Sequence, residues 1–575
     1  MSALYLINQA DPARRDALEK SLQASLGRQG FHGCQRAQWV GGVVCWYETP
    51  ANPSSSDQWC RIGDGFVACV GTLFYRGASG RAALEAFWHG FEDLRSASAE
   101  DLSGEYQVVI SKAGQVWSFG DALGMIKLYE VPQAGVLSSS WLACAQLGEG
   151  STLDPVGTLD YLFSGANHGT RTPIAEVNIV DPAMVLNLTA GTRNNVFGAA
   201  FWQPEDYFSN QTRALDLISQ RLVTMAGAYA RGFHDHVKSA LSGGFDSRLI
   251  LAALLAAGER PRLHVYGSPD NEDVLVAQTI DHDMKLDLSA IDKRALDREI
   301  ASGEKPDLAS NLAFFDGLPI DGILDDGSDR ATRQNQSRDG SLALNGGGGE
   351  VLRNFFYLSD RRFSAADIVK VFYSGFDPAA VRNASALRAF KDYLASTIEA
   401  AVGATGLLSR QHVELIYPLI RGRYWTSRNN SMAARCGHFL TPFLDPQIVK
   451  ASVRLPMSWK DYGRFEAKLI GQINPALAQY QMAYGFSPEQ GPPASYRLKM
   501  WLQHQRPPWV RAGTASLKRR IKALQAELRG SNRASTTPPL TKSPLSDLID
   551  PALLTSDDQL TRLRTLEIAL GYASV

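Results

Sequence analysis

The chain predicts two units of different class, an antiparallel β-rich α+β unit over its first two hundred residues and an α/β unit after it. Three observations carry this. Runs of β-branched and aromatic residues at 40–47, 65–74, 106–111, 115–119 and 136–140 are bounded by Gly, Asp and Ser, the pattern of short strands between turns. One helix is expected among them, at 81–91. From about Thr212 the pattern changes to long helices with short strands, which points to α/β. Within that second part, an apolar run at 237–241, a Gly-containing turn, an apolar helix-prone run at 249–257 and a further run at 262–266 ending in Gly267 form the sequence of a parallel βαβ unit.

Length and composition set the outer bounds. At 575 residues the chain is too long for one core, and two or three domains are expected. A hydrophobic fraction of 45% and a charged fraction of 20% are those of an ordinary globular protein. The net charge of −1 gives no global reason to bind nucleic acid. No apolar run is long enough to span a bilayer. The start, Met-Ser-Ala-Leu-Tyr-Leu-Ile, carries neither a basic region nor a cleavage site, so no export signal and a cytoplasmic location are expected. Cys34, Cys45, Cys60, Cys69, Cys144 and Cys436 are scattered without CxxC spacing, which argues against zinc and suits reduced thiols. The expected boundaries are 1–205, 206–530, a low-complexity linker at 531–545 and a C-terminal helix at 546–575. A basic helix is expected at 517–528. No internal repeat is present.

The most informative stretch is Leu241-Ser242-Gly243-Gly244-Phe245-Asp246-Ser247. Two glycines let backbone N–H groups approach phosphate oxygens with no side chain between. Ser242 and Ser247 add hydroxyl donors. Asp246 can hold magnesium against phosphates, since hard cations prefer carboxylate oxygen. The helix that follows aims its positive end at the same place. A turn plus helix cap would use the same residue types, but the strand before and the helix after favour the phosphate reading. This SGGxDS pattern resembles the pyrophosphate loop of enzymes that split ATP into AMP and pyrophosphate.

Several segments resemble asparagine synthetase B and its relatives, the β-lactam synthetases and the lasso-peptide macrolactam synthetases, in the same order. Leu102-Ser103-Gly104-Glu105-Tyr106 and Asp121 through Tyr129 resemble the family's glutaminase-type domain. Leu159-Asp160-Tyr161-Leu162 and Arg171-Thr172 through Asp181-Pro182 resemble the joining segment. Asn345-Gly346-Gly347-Gly348-Gly349-Glu350 stands where the family carries a second Gly-rich acidic loop. Ser431-Met432-Ala433 and Pro442-Phe443-Leu444-Asp445 resemble later segments. The resemblance covers most of the chain. It implies an Ntn-type glutaminase-like β-sandwich followed by a PP-loop synthetase domain of adenine nucleotide α-hydrolase type. It implies ATP at Leu241, Ser242, Gly243, Gly244, Asp246, Ser247, Val265, Tyr266, Gly267, Gly346, Gly347 and Gly348. It implies magnesium on Asp246 and Glu350, with those two residues catalytic.

The departures from the family narrow the function. A glutaminase of this type needs cysteine after the initiator methionine, with its free amine as base. This chain has Ser2, so the first domain is expected to release no ammonia. Asparagine synthetases carry Glu at the position of Gly347 and Asp at that of Glu350; the glycine run is expected to open space for a bulky substrate. Relatives place a lysine at the position of Ala483, against the leaving pyrophosphate. Arg464 and Lys468, in Tyr-Gly-Arg-Phe-Glu-Ala-Lys, are the candidates to supply that charge, with an ordinary solvated role as the alternative.

The reaction the resemblance implies is adenylation of a carboxylate followed by amide formation. With no internal ammonia, the amine is expected on the substrate itself. The favoured reading is therefore macrolactam closure of a leaderless lasso-peptide precursor, with a cysteine protease and a leader-binding protein as pathway partners. The rivals are an ammonia-using synthetase that amidates aspartate or a sugar uronic acid, and a non-catalytic scaffold of a biosynthetic complex. Neither nucleic acid nor a membrane is an expected partner.

Overall fold

The computed structural model describes residues 2–48, 58–98, 100–147, 150–292, 295, 307–323, 328–514, 544–554 and 556–573. The expected linker at 531–545, apart from its last two residues, and the basic helix at 517–528 lie outside them.

Up to Asn195 the chain builds two antiparallel sheets. One runs in the order Asn178–Ile179, Tyr129–Val131, Val136–Ser138, Ala3–Asn8, Gly42–Tyr47, Gln35–Trp39. The other runs Thr192–Asn195, Met184–Asn187, Gln115–Gly120, Leu102–Lys112, Gly65–Tyr75, Trp59–Ile62, with Ala78–Ser79 beside Gly65–Tyr75. Period-two alternation explains how they pack. Leu4 and Leu6 share one buried cluster with Val44, Trp46, Ala68, Val70 and Val109, drawn from both sheets. Tyr5, Ile7, Val43 and Cys45 face the other way, into the main core with Leu22 and Leu26 of the helix Pro12–Arg28. The strand Gly65–Tyr75 is therefore buried at every position. Strands covered on both faces read as unbroken apolar runs, which is why they stand out in the sequence.

The second half is organised on a five-stranded parallel sheet. We number its strands β1 (Val237–Ala240), β2 (Arg262–Tyr266), β3 (Asp287–Ile291), β4 (Leu342–Leu344) and β5 (His438–Leu440). Their spatial order is β3-β2-β1-β4-β5, and every pairing is parallel. Helices α1 (Gln211–Phe233), α2 (Phe245–Ala256), α3 (Glu272–Met284) and α4 (Arg464–Ile473) surround it. Chain order reverses direction across the sheet between β1 and β4. In open parallel sheets such a reversal leaves a crevice at the carboxyl ends of the two strands.

The two halves share one core. Phe74 packs on Tyr229 and Phe233 of α1, with ring centroids 5.2 and 6.2 Å apart. Thr72 Oγ1 lies 2.8 Å from His438 Nδ1 on β5. Ser431 Oγ donates to the Met125 carbonyl (2.9 Å) and accepts from the Lys127 N–H (3.1 Å). Asp445 accepts both arms of Arg221, at 3.0 and 2.6 Å. Glu105, Met125, Ser431 and Asp445, taken from the segments singled out by resemblance, thus meet at or beside the contact between the halves. Among the described residues no helix is long and apolar enough to cross a membrane.

Candidate active site

The SGG loop follows β1 and the NGGGGE loop follows β4, so both emerge at the strand-order reversal. The sheet brings together two segments about a hundred residues apart in sequence. Gly346 packs so closely on the first loop that a Cβ there would lie 3.3 Å from the Ser247 nitrogen.

The first loop is held by its own hydroxyls. Ser242 N–H donates to Ser247 Oγ (2.9 Å), the two serine hydroxyls are 3.1 Å apart, and Gly244 N–H donates to Ser242 Oγ (3.3 Å). Gly243 N–H donates to Asp273 Oδ1 in the first turn of α3, at 2.8 Å. From the other side, Ala483 N–H donates to the Gly243 carbonyl (3.1 Å). Gly244 forms the N-cap of α2 and Asp246 sits in its first turn. Leu241 and Val265 are buried beneath the loop. Tyr266 ends β2 and Gly267 follows it, with the Tyr266 hydroxyl taking a bond from Gln336 Nε2 (3.2 Å).

Three carboxylates converge on one guanidinium. Arg353 Nη2 is 2.7 Å from Asp246 Oδ2 and 3.8 Å from Glu350 Oε1, and its Nε is 3.1 Å from Glu466 Oε2. Glu350 Oε2 accepts from Gly348 N–H (3.1 Å) and from the Tyr417 hydroxyl (2.7 Å). Tyr417 opens a π-helical stretch, Tyr417–Thr426, and its ring packs on Phe355 at 4.5 Å. Wide π turns recur at functional sites, where they aim a side chain that an α turn would place elsewhere. Burial pushes the Asp246 carboxyl up, with Arg353 opposing. Glu466, fully buried, is pushed well above the carboxylate range by the same cause. Burial works against the charge of Arg353, but Glu466, Asp246 and Glu350 outweigh it and hold its pKa well above that of a free arginine.

Under this cluster lies a buried polar network. Asn354 Nδ2 donates to Asp461 Oδ1 (3.0 Å), Arg410 donates to Asn354 Oδ1 (3.0 Å) and pairs with Glu414 (2.8 Å), and Lys460 donates to Glu414 (2.5 Å). It holds Asn354, the residue next to Arg353, from two sides.

The donor set fits magnesium. Asp246 Oδ1 is buried without a hydrogen-bond partner, and the Glu350 carboxylate faces the same arginine. Among the described residues no three or more His, Cys, Asp or Glu side chains form a protein-only metal cage. Magnesium needs none, because it binds through one or two carboxylates and completes its shell with water and substrate phosphates.

Two expectations are corrected. The glycine run is not uniformly open. A Cβ on Gly349 would stand 2.0 Å from Asp246 Oδ1, and one on Gly348, whose φ is +87°, would stand 2.8 Å from Leu444 Cγ. At Gly347 the nearest atoms belong to the Asn345 side chain, the first at 3.2 Å, so a Cβ there meets a side chain and not backbone. Arg464 and Lys468 are not brought to the loop. Arg464 lies over the Tyr462 ring and reaches the Ser458 carbonyl, while Lys468 bonds Gln211. Glu466, between them on α4, faces the cluster instead. Arg353, Tyr417 and Glu466 were not found by motif. For Glu466 a signal existed: it shares the helical stripe of Leu469, Ile470 and Ile473, so its charge stands on the buried face.

Ser2 is 2% exposed, and its Oγ donates to the Ala434 carbonyl across the contact between the halves (3.1 Å).

No protein-family description and no curated protein matches the chain. Among solved structures it is similar to glutamine phosphoribosylpyrophosphate (PRPP) amidotransferase from B. subtilis complexed with ADP and GMP, at 12% identity and a TM-score of 0.20. That likeness covers 50% of this chain and 65% of the other, so the chain spans about two thirds of that structure's length.

Proposed function

We propose that the chain is an ATP-dependent amide-bond synthetase that adenylates a carboxylate, releases pyrophosphate and passes the acyl group to an amine. The observation that carries this reading is the pairing of the two Gly-rich loops at the β1/β4 reversal, with Asp246 and Glu350 facing one another across Arg353. Ser242, Ser247 and the loop N–H groups would receive the phosphates, and Val265, Tyr266 and Gly267 line the adjoining strand end, where the base would lie. Magnesium, held by Asp246 and Glu350, would offset phosphate charge as the α-phosphate is attacked.

Burial of Ser2 supports an amine source other than glutamine. The half-exposed tyrosines beside the loops, Tyr357 and Tyr484, and the space at Gly347 suit an extended substrate. We therefore favour intramolecular closure of a leaderless lasso-peptide precursor. An Asp or Glu side chain would be activated, the peptide's own amino terminus would attack, and AMP would leave. A cysteine protease and a leader-binding protein are its proposed partners.

The test is product mass after incubation with ATP, magnesium and candidate substrates. A linear peptide should lose one water and AMP should accumulate. Amidation of aspartate or a uronic acid by ammonium, with no change in any peptide, would replace the cyclisation reading. Failure to consume ATP with every candidate, in the wild type and in Asp246→Ala alike, would sink the synthetase reading itself.

A further inference from the structure

We infer that Arg353 is a resident cation that occupies the metal-binding carboxylates before nucleotide arrives and turns to the phosphates when metal enters, so that metal and polyphosphate bind as a coupled pair. This rests on the synthetase reading above and names the device that assembles its site.

The geometry supplies both halves of the exchange. The Nη2 end of Arg353 reaches Asp246 Oδ2 and Glu350 Oε1, at 2.7 and 3.8 Å. A divalent ion bridging Asp246 and Glu350 would need that place, and two cations cannot share it. The Nε end is anchored separately. It stands 3.1 Å from Glu466 Oε2, and Glu466 is fully buried on α4 with its carboxyl against that of Asp246. Displacement from Asp246 therefore pivots the guanidinium about Glu466 without expelling it. The Glu350 carboxylate stays in place because Tyr417 and Gly348 hold its other oxygen.

The displaced fork needs an anion, and the phosphate loop is the adjoining surface. Nearby cations are committed elsewhere. Arg248, on the same helix as Asp246, donates to the carbonyls of Leu477, Tyr480 and Gln481. Arg421 stacks on Trp425 at 4.0 Å. A planar guanidinium matches two phosphate oxygens at once. Metal alone must break the Asp246 pair and leave the Nη2 end of the arginine with no anion, held only through Nε by Glu466. Polyphosphate alone meets the Asp246 and Glu350 carboxylates, with the arginine still turned to them. Together each removes the obstacle to the other, and such coupling is reciprocal.

The experiment is calorimetric titration of the full chain with Mn²⁺ alone, inorganic pyrophosphate alone, and each in the presence of the other, for wild type, Arg353→Gln and Arg353→Lys. In wild type each ligand should tighten the other at least tenfold. In Arg353→Gln, Mn²⁺ alone should bind at least fivefold tighter, pyrophosphate at least tenfold weaker, and the coupling should fall toward unity. Opposite shifts for the two ligands are what a merely structural arginine would not produce. Equal weakening of both, or no change, overturns the inference while leaving the synthetase reading intact. A wild type that binds neither Mn²⁺ with pyrophosphate nor ATP with Mn²⁺ overturns both. Should Arg353→Gln fail to fold by circular dichroism, Arg353→Lys decides. Its single ammonium cannot fork, so coupling should drop at least threefold, and unchanged coupling refutes the proposal.

Discussion

The Tyr417 hydroxyl donates to Glu350 Oε2 at 2.7 Å, joining the start of the π-helical stretch to the acidic end of the second glycine loop. Burial, followed by the charge of Glu350, raises the Tyr417 pKa well above the ordinary phenol value. The hydroxyl therefore stays protonated, and stays a donor, throughout the neutral range. Tyr417→Phe deletes one hydrogen bond to a charged acceptor, which is worth about 1.5–3 kcal/mol, or roughly tenfold or more in the affected step. ATP–pyrophosphate exchange should fall by that factor with the circular dichroism spectrum unchanged. In wild type no inflection below pH 10 should disappear on this substitution. An inflection near neutrality that Tyr417→Phe removes would show that the tyrosine titrates as a base.

Glu105 gives a pH prediction for the contact between the halves. It accepts from Thr441 N–H (2.5 Å) and Asn430 Nδ2 (2.8 Å), and burial pushes its pKa up to about 8. The unfolded chain loses this proton near the ordinary glutamate value of about 4.3, whereas the folded protein keeps it to about pH 8. Between those values the folded state binds more protons, so stability is greatest below the window and falls as pH rises through it. The loss approaches about 1.4 kcal/mol per pH unit. Denaturant melts of wild type and Glu105→Gln at pH 6, 7 and 8 isolate this site from the others. Wild type should lose stability relative to the variant as pH rises. Parallel curves would mean that Glu105 is already ionised in the fold.

Ser2 leads to a stricter expectation than its chemistry alone. Because the residue is buried against Ala434, restoring the nucleophile should restore nothing. Neither wild type nor Ser2→Cys should release glutamate from glutamine above background. Release by Ser2→Cys would show that a glutamine pocket persists at the first strand.

How much of this was legible beforehand depends on the range of the interactions. The parallel unit around β1, α2 and β2 is readable because its residues are contiguous and turn residues bound each short strand, and β2 spans the expected 262–266. The first strand, Ala3–Asn8, and the helix Pro12–Arg28 lie outside the expected elements, the latter because polar residues interrupt its apolar face. In the site, Asp246 and Glu350 were visible as loop motifs. Arg353, Tyr417 and Glu466 reach the cluster only through folding, since they lie 107, 171 and 220 positions beyond Asp246 in the chain. Arg464 and Lys468 have the right charge near the site in sequence, and helical phase turns them away from it. Two residues either side of Glu466 is about 200° around the helix. Arg464→Ala and Lys468→Ala should each leave ATP–pyrophosphate exchange within about twofold of wild type, as surface substitutions do, while Glu466→Gln should lower it sharply. Equal losses in all three would restore the cations to the site.

The glycine run separates two roles that the sequence could not distinguish. Gly349 is required by close approach: a Cβ would overlap Asp246 Oδ1 at 2.0 Å. Gly349→Ala should therefore displace the Asp246 carboxylate, lower Tm and abolish both adenylation and product formation. Gly347 has no such neighbour. A Cβ there first meets the Asn345 side chain, at 3.2 Å, whose Oδ1 accepts from the Gly347 N–H at 3.0 Å, and meets no backbone among its nearest atoms. Gly347→Glu should fold with near wild-type Tm and still exchange labelled pyrophosphate into ATP when given its carboxylate substrate, because Asp246, Glu350 and Arg353 are untouched. It should fail to close the ring, because a charged side chain would project into the space proposed for the peptide. Exchange and product mass measured on one preparation test this. Normal cyclisation by Gly347→Glu would mean that the peptide does not pass over Gly347. Loss of exchange as well would mean that the new carboxylate reaches the metal-binding pair, and so that Gly347 faces Asp246 and Glu350 and not the amine.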